Sequence, residues 1–288
     1  MRVTFFILYI LSLGATVSGQ VIESQVIDPQ TGHPIAYVNI GIVGKSIGTV
    51  SDENGKFQLS ITDASADDTL RFSMISYVSK AFLVSDLRKT GITEAIEMDE
   101  RHIELQEVIV SGESAEQIKL GLARKHCYPI PLYKGASSNL AFPQEGYRHE
   151  IGTRYLNDKL IYLDSIQLNF AAANEDHIDL RLNIYAIENE TFTNILPEPI
   201  YISLSKEEAE DYPIIDLSKY QIEVKSDFLI TIENYKQLPG GSLKILANFK
   251  AKGRIYPTYY RSSTQGNWTR FTTKKSRDIG LSFIVFAQ

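Results

Sequence analysis

Between Val26 and Tyr77 the apolar residues fall at every second position, which is the period of a half-buried strand and not of a helix. Val38, Ile40 and Ile42 point one way, and Tyr37, Asn39 and Gly41 the other. The same alternation returns in Phe57, Leu59 and Ile61 against Lys56, Gln58 and Ser60. The pieces between are rich in turn formers. Asp28-Pro29-Gln30-Thr31-Gly32 and Asp52-Glu53-Asn54-Gly55 supply the Asx side chains and positive φ that tight turns need. The second lies between Gly48-Thr49-Val50 and Phe57-Gln58-Leu59, so it is predicted to close a hairpin.

Beyond residue 111 the period changes. Ser114 with Gln117 makes a capping-box start, and Ile118 with Leu122 gives one apolar stripe before Tyr128-Pro129-Ile130-Pro131. This predicts a helix of roughly three turns within a helical, Pro-containing linker over residues 112–144. Gly135 to Pro143, small and polar, is expected to cross in extended form. From Glu145 onward strand patterning resumes: Ile166, Leu168 and Phe170; Leu180, Leu182 and Ile184; Phe228, Ile230 and Ile232. Turns are predicted at Asn189-Glu190, Pro239-Gly240-Gly241 and Gln265-Gly266-Asn267, and Ser205-Lys206-Glu207-Glu208 is a second capping box. Roughly eight to ten short strands at this spacing predict a second sandwich over residues 145–288, with a jelly roll as the expected version.

The order of residues in the first unit resembles a known family. It reads V-x-D-x-x-T-G-x-P-I-x-x-V-x-I (Val26, Asp28, Thr31, Gly32, Pro34, Ile35, Val38, Ile40), then G-T-x-S-D-x-N-G-x-F-x-L (Gly48 to Asp52, Asn54, Gly55, Phe57, Leu59), then D-x-L-x-F-S-x-I-x-Y (Asp68, Leu70, Phe72, Ser73, Ile75, Tyr77). With the exit Leu105-Gln106-Glu107-Val108-Ile109-Val110, this is similar to the carboxypeptidase-like regulatory domain of Bacteroidetes envelope proteins. Gln25 and Ser76 stand where that family usually has Gly. The resemblance implies a seven-stranded, transthyretin-like β-sandwich over residues 20–111, and no catalysis, since in the peptidases that lend the name this domain is an appendage. The stretches Leu180 to Tyr185, Phe192 to Ser205, Ile215 to Tyr220, Asp227 to Glu233 and Tyr259 to Trp268 resemble the C-terminal half of short Bacteroidetes proteins carrying the same domain, a family with no biochemical activity to transfer. The expected fold class is therefore all-β: a transthyretin-like sandwich followed by a jelly-roll-like one, joined by a short helix.

The 288 residues fit two domains, and a formal charge of −6 argues against nucleic acid or an anionic membrane surface as partner. Residues 1–19 read as a secretory signal peptide: Arg2 is the positive region, Phe5 through Leu13 the apolar core, and Val17-Ser18-Gly19 the small-residue cleavage site. No Cys follows that core, so a lipid anchor is not expected and the mature chain is expected in the periplasm, at the outer membrane or on the cell surface. The single cysteine, Cys127, has no partner for an internal disulfide and is expected to be a partly buried structural thiol.

Candidate chemistry is sparse. Asn39 to Ser46 ends like a phosphate-binding loop, but Asn39 stands where its first Gly belongs, and a strand follows. His33, His102, His126, His149 and His177 are scattered, and His149-Glu150 lacks the second imidazole of a zinc peptidase. Asp52 to Gly55 lacks the later ligands of a calcium loop. No metal or cofactor is expected. One feature stands as a weak candidate ligand-binding surface: Tyr256, Tyr259, Tyr260 and Arg261, with Trp268 and Arg270, put aromatic faces and guanidinium donors in one predicted hairpin. The alternative is that alternate rings fill the core, and neighbouring Tyr259 and Tyr260 cannot both do so.

The function read from the sequence is an exported, non-catalytic binding or scaffolding module of the bacterial cell envelope, with a protein or glycan as partner. The alternative is a carbohydrate-binding protein in which Trp268, Tyr259 and Tyr260 form a stacking platform. A hydrolase would need Asp176, Asp179 or Glu150 to converge in a cleft. A fragment of a TonB-dependent transporter is not expected, since a plug and a many-stranded barrel follow this domain there.

Overall fold

Period-two patterning in the first hundred residues yields β1 (Val21–Ile27), β2 (Asn39–Ile42), β3 (Gly48–Val50), β4 (Lys56–Ser60), β5 (Thr69–Ser73), β6 (Lys80–Leu83), the short helix α1 (Val84–Thr90) and β7 (Ile96–Glu97). The structure is a computed structural model and describes residues 21–92, 94–101, 116–123, 125, 127–131, 150–173, 176–236, 243–249, 256–273 and 278–288. The expected signal peptide, the exit segment 105–110 and the crossing 135–143 lie outside the described residues. Two sheets, ordered β4-β1-β7 and β3-β2-β5-β6, account for the seven strands. Between them lies a core that includes Val26, Val38, Ile40, Phe57, Leu70 and Phe72.

The Asx turns are as expected, with Asp28 Oδ1 accepting from Gln30 N at 2.7 Å and Asp52 Oδ1 accepting from Asn54 N at 2.8 Å. The hairpin is not. β3 pairs with β2 and β4 pairs with β1, so the Asp52–Gly55 turn carries the chain from one sheet to the other. Turn chemistry sets a local reversal, while the partner strand is chosen by which face is apolar.

The second unit comprises β8 (Ile118–Gly121), β9 (Tyr128–Pro131), β10 (Glu150–Tyr155), β11 (Ile161–Leu168), β12 (Phe170–Ala173), β13 (His177–Glu188), β14 (Thr191–Asn194), β15 (Ile200–Ser205), helix α2 (Lys206–Glu210), β16 (Ile214–Asp216), β17 (Glu223–Val224), β18 (Asp227–Glu233), β19 (Leu243–Asn248), β20 (Thr258–Arg261), β21 (Thr269–Arg270), β22 (Gly280–Leu281) and β23 (Phe283–Ala287). One seven-stranded sheet runs β14-β13-β18-β10-β20-β21, with β15 also on β13. Across a core containing Leu182, Ile230, Phe228, Phe170 and Phe283 lie sheets of five and four strands. These strands outnumber the eight to ten expected because several are only two or three residues long. The capping box holds as expected: Ser205 Oγ accepts from Glu208 N, and the Glu208 carboxylate accepts from Ser205 N.

The joining helix is a correction. Ile118–Gly121 is strand β8, antiparallel to β23 with Ile118 opposite Ala287, and Ile118 and Leu120 pack on the core. β9 likewise pairs with β19. A cap signal and one apolar stripe are weak local preferences, and the unpaired edge of β23 offered a ladder that overrides them. Pro129 and Pro131 are tolerated because β9 lies at a sheet edge. Ser114, the expected cap, lies outside the described residues.

Candidate functional site

In the seven-stranded sheet the core takes Leu180, Leu182 and Ile184 from β13, Phe228, Ile230 and Ile232 from β18, and Ile151 and Tyr155 from β10. Alternation sends Arg181, Asn183, Tyr185, Thr231, Glu233 and Glu150 to the outer face. That face is nonetheless dry: Arg181 and Glu150 are each 1% exposed and Glu233 is 0% exposed.

Register explains how the charges survive burial. Arg181 lies opposite Glu233, Glu233 opposite Glu150, and Glu150 opposite Arg261, so an Arg–Glu–Glu–Arg row crosses β13, β18, β10 and β20. Arg181 donates to Glu233 Oε2 from Nη2 at 2.8 Å, and Arg261 Nε donates to Glu150 Oε2 at 2.6 Å. Asn183 Nδ2 bridges the two carboxylates at 3.0 and 3.3 Å, while Tyr185 and Thr231 hydroxyls donate to Glu150 Oε1. Desolvation opposes charge on both guanidiniums, but Glu233 beside Arg181 and Glu150 beside Arg261 more than offset it, so both are held above the ordinary arginine range. Burial, with the neighbouring carboxylates adding, pushes the Tyr185 phenol well up despite Arg261.

The first sandwich supplies the lid over this row. Tyr37 O accepts from Arg181 Nη1 at 2.9 Å, and Asn39 Oδ1 accepts from Arg181 Nη2. The Tyr37 ring meets Tyr235 and Tyr201 at centroid distances of 4.7 and 5.7 Å. Beside them the β20–β21 loop plugs into the β2–β3 turn. Gly44 N donates to Gln265 O at 2.8 Å, Ser263 Oγ to Lys45 O at 2.7 Å, and Gln265 Nε2 to Ser73 Oγ at 2.7 Å. Gly41 is needed here, since a Cβ would stand 2.9 Å from Ile47 O and 3.2 Å from Gln265 Cγ. Ser76, in place of the family glycine, keeps the positive φ of 70° and donates its hydroxyl to Pro197 O.

Between the docked sandwiches remains an open cleft of about 500 Å³, walled by Asn39, Arg71 and Ser73 on one side and by Arg181, Tyr185 and Arg261 on the other. Its lining presents guanidinium, amide and hydroxyl donors, with the Glu150 and Glu233 carboxylates held behind the arginines. This volume suits a small molecule or a short chain segment.

The predicted aromatic surface is divided by the sheet. Tyr256 is buried against Tyr155, and Tyr260 packs inward on Phe271. Tyr259 and Trp268 face outward, where both meet Phe192, and the Arg261 guanidinium lies 4.6 Å over the Trp268 ring. Tyr259 and Tyr260 therefore do not share a platform. Arg270 is exposed and pairs with Asp278 at 2.6 Å. The three acids considered for hydrolysis do not converge: Asp176 is exposed, Asp179 binds Lys236 and Ser203, and Glu150 is buried on Arg261. Cys127 is half-buried, donates to Ala123 O, and has its thiol pKa raised by burial. His149, His126 and His102 lie outside the described residues. Among the described residues no three His, Cys, Asp or Glu gather as metal ligands.

Of the cleft residues, only Arg261 was predicted as a site residue. Arg71, Arg181 and Asn183 occupy strand positions that alternation assigns to solvent, so pattern alone does not distinguish them from ordinary surface polarity. The available signal was charge on the outer positions of strands whose inner positions are largely apolar. No curated protein matches the chain. Residues 22–110 match the CarboxypepD_reg-like domain family, so the first sandwich is a regulatory-like, non-catalytic β-sandwich domain of that kind.

Proposed function

We propose that the chain is an exported, non-catalytic binding or scaffolding module of the bacterial cell envelope, and that the cleft between its sandwiches is the ligand-facing surface. Export is inferred from Arg2, the apolar run Phe5 to Leu13 and the small residues Val17-Ser18-Gly19. We take the domain division as 20–111 and 145–288, the segment between donating β8 and β9 to the second sandwich. The carrying observation is the donor-rich cleft, whose wall acid Glu223 pairs with Lys225, while Glu150 and Glu233 behind the arginines are committed to buried ion pairs and are thereby unsuited to proton transfer.

Affinity capture tests this reading. The chain from Gln20 is immobilised, and detergent-solubilised envelope from its host is passed over it. Retention of one membrane protein or one polysaccharide is expected. A hydrolytic turnover abolished by a single side-chain change refutes it. The carbohydrate reading keeps one specific support, the outward strip of Phe192, Tyr259 and Trp268, whose flat rings suit sugar faces. Under that reading, Trp268→Ala abolishes polysaccharide retention without unfolding the chain.

A further inference from the structure

We propose that the cleft takes its ligand by a compact oxyanion, a carboxylate or a phosphate group, clamped between Arg71 of the first sandwich and Arg261 of the second. This rests on the reading of the cleft as a binding surface and names what it binds.

Charge placement makes the argument. Four guanidiniums wall the cleft, Arg71, the exposed Arg101, Arg181 and Arg261, and the two row carboxylates serve the last two. Glu223, the acid in the wall, pairs with Lys225 at 2.5 Å. Arg71 is held by a neutral bond, its Nε donating to Gln265 Oε1 at 2.7 Å, and no ion pair forms on it among the described residues. Burial, and then the like charge of Arg261, lowers its pKa. Arg71 thus carries a positive charge with no carboxylate of its own toward a space it shares with the ion-paired Arg261, an arrangement that a bound oxyanion relieves. Guanidinium planes match carboxylate and phosphate oxygens in pairs, which a point charge does not do. A second observation lies in the same wall: Thr264 lines the cleft, is 2% exposed, and among the described residues its Oγ1 has no partner. Because one clamp residue comes from each sandwich, an occupied site also holds the two together.

Titration calorimetry on the full mature chain uses inorganic phosphate and glucuronate as probes, with glucose as the neutral control. At least one anion is expected to bind, more weakly as salt is raised, while glucose does not. Which anion binds assigns the oxyanion as phosphate or carboxylate. Arg71→Gln is expected to lower affinity about ten- to hundredfold, the loss of one charge-assisted pair, and Arg71→Lys by less. Arg71 faces the cleft from the middle of β5 and serves no buried acid, so Arg71→Gln, which forfeits only the hydrogen bond to Gln265, should melt only slightly below the wild type. Binding of neither anion, or binding unchanged in Arg71→Gln, overturns the proposal. If neither anion binds while the wild-type chain still captures envelope material, the module reading survives and the oxyanion site alone falls.

Discussion

Arg181 has its guanidinium sealed between two sandwiches, with Glu233, Tyr37 O and Asn39 as partners. A buried charge with its partner removed is costly because neither water nor another ion replaces the lost interaction. Glu233→Gln should therefore destabilise the chain by about 3–5 kcal/mol, read as a lower urea midpoint. The double change Arg181→Met with Glu233→Leu should recover most of that loss, and a recovery below the single variant would show that the row is needed for more than charge balance. Tyrosines beside the row report on pH. Burial, with Asp179 adding, pushes the Tyr235 phenol up to about 12. Its unfolded value is about 10, so the folded state holds this proton more tightly. The stability linked to it is full below about pH 10 and is lost as pH rises toward 12. A spectrophotometric titration should show this group ionising only as the fold opens, together with the more strongly raised Tyr185.

At the scale of elements, close approach decides what a strand tolerates. Gly152 sits on β10 between β18 and β20, and a Cβ there would stand 1.9 Å from Ile230 O. Gly152→Ala must spread the central ladder, at about 3 kcal/mol or more. Ser205→Ala, which removes only the cap of α2, should cost about 1 kcal/mol. Thermal unfolding of the two variants side by side checks the order, and equal losses would contradict the tight packing at β10. Both capping-box signatures look alike in the chain. The one at Ser205 forms because β15 ends there and α2 packs Ala209 into the core. The segment after the other, from Ile118, is drawn into the β23 ladder instead.

For the whole molecule the interface is the distinguishing feature. Gln265 reaches from the second sandwich to Arg71 and Ser73 of the first, and its backbone carbonyl accepts from Gly44 N. Gln265→Ala removes two side-chain hydrogen bonds, each worth about 1 kcal/mol net. It should weaken docking enough for calorimetry to resolve two transitions where one is expected for the wild type. A single unchanged transition would mean that the Arg181 contacts and the tyrosine cluster suffice to hold the sandwiches.

The alternation of Val38, Ile40 and Ile42 with Tyr37, Asn39 and Gly41, and of Leu180, Leu182 and Ile184 with Arg181 and Asn183, was enough to determine strands, their apolar faces and an all-β fold, because side-chain direction in a strand follows residue parity. The Asx turns and the Ser205 cap were equally local and equally legible. Tertiary structure alone decided what covers the second face of each strand. Tyr37, Asn39 and Arg181 carry the pattern of solvated positions, yet they meet one another across the interface. Only Arg261 of the cleft was legible, as part of an aromatic hairpin, and its partner Glu150 appeared only as a possible hydrolytic acid. The cleft depends on cross-strand register and on docking between residues more than a hundred positions apart, and neither leaves a trace in the local order of side chains.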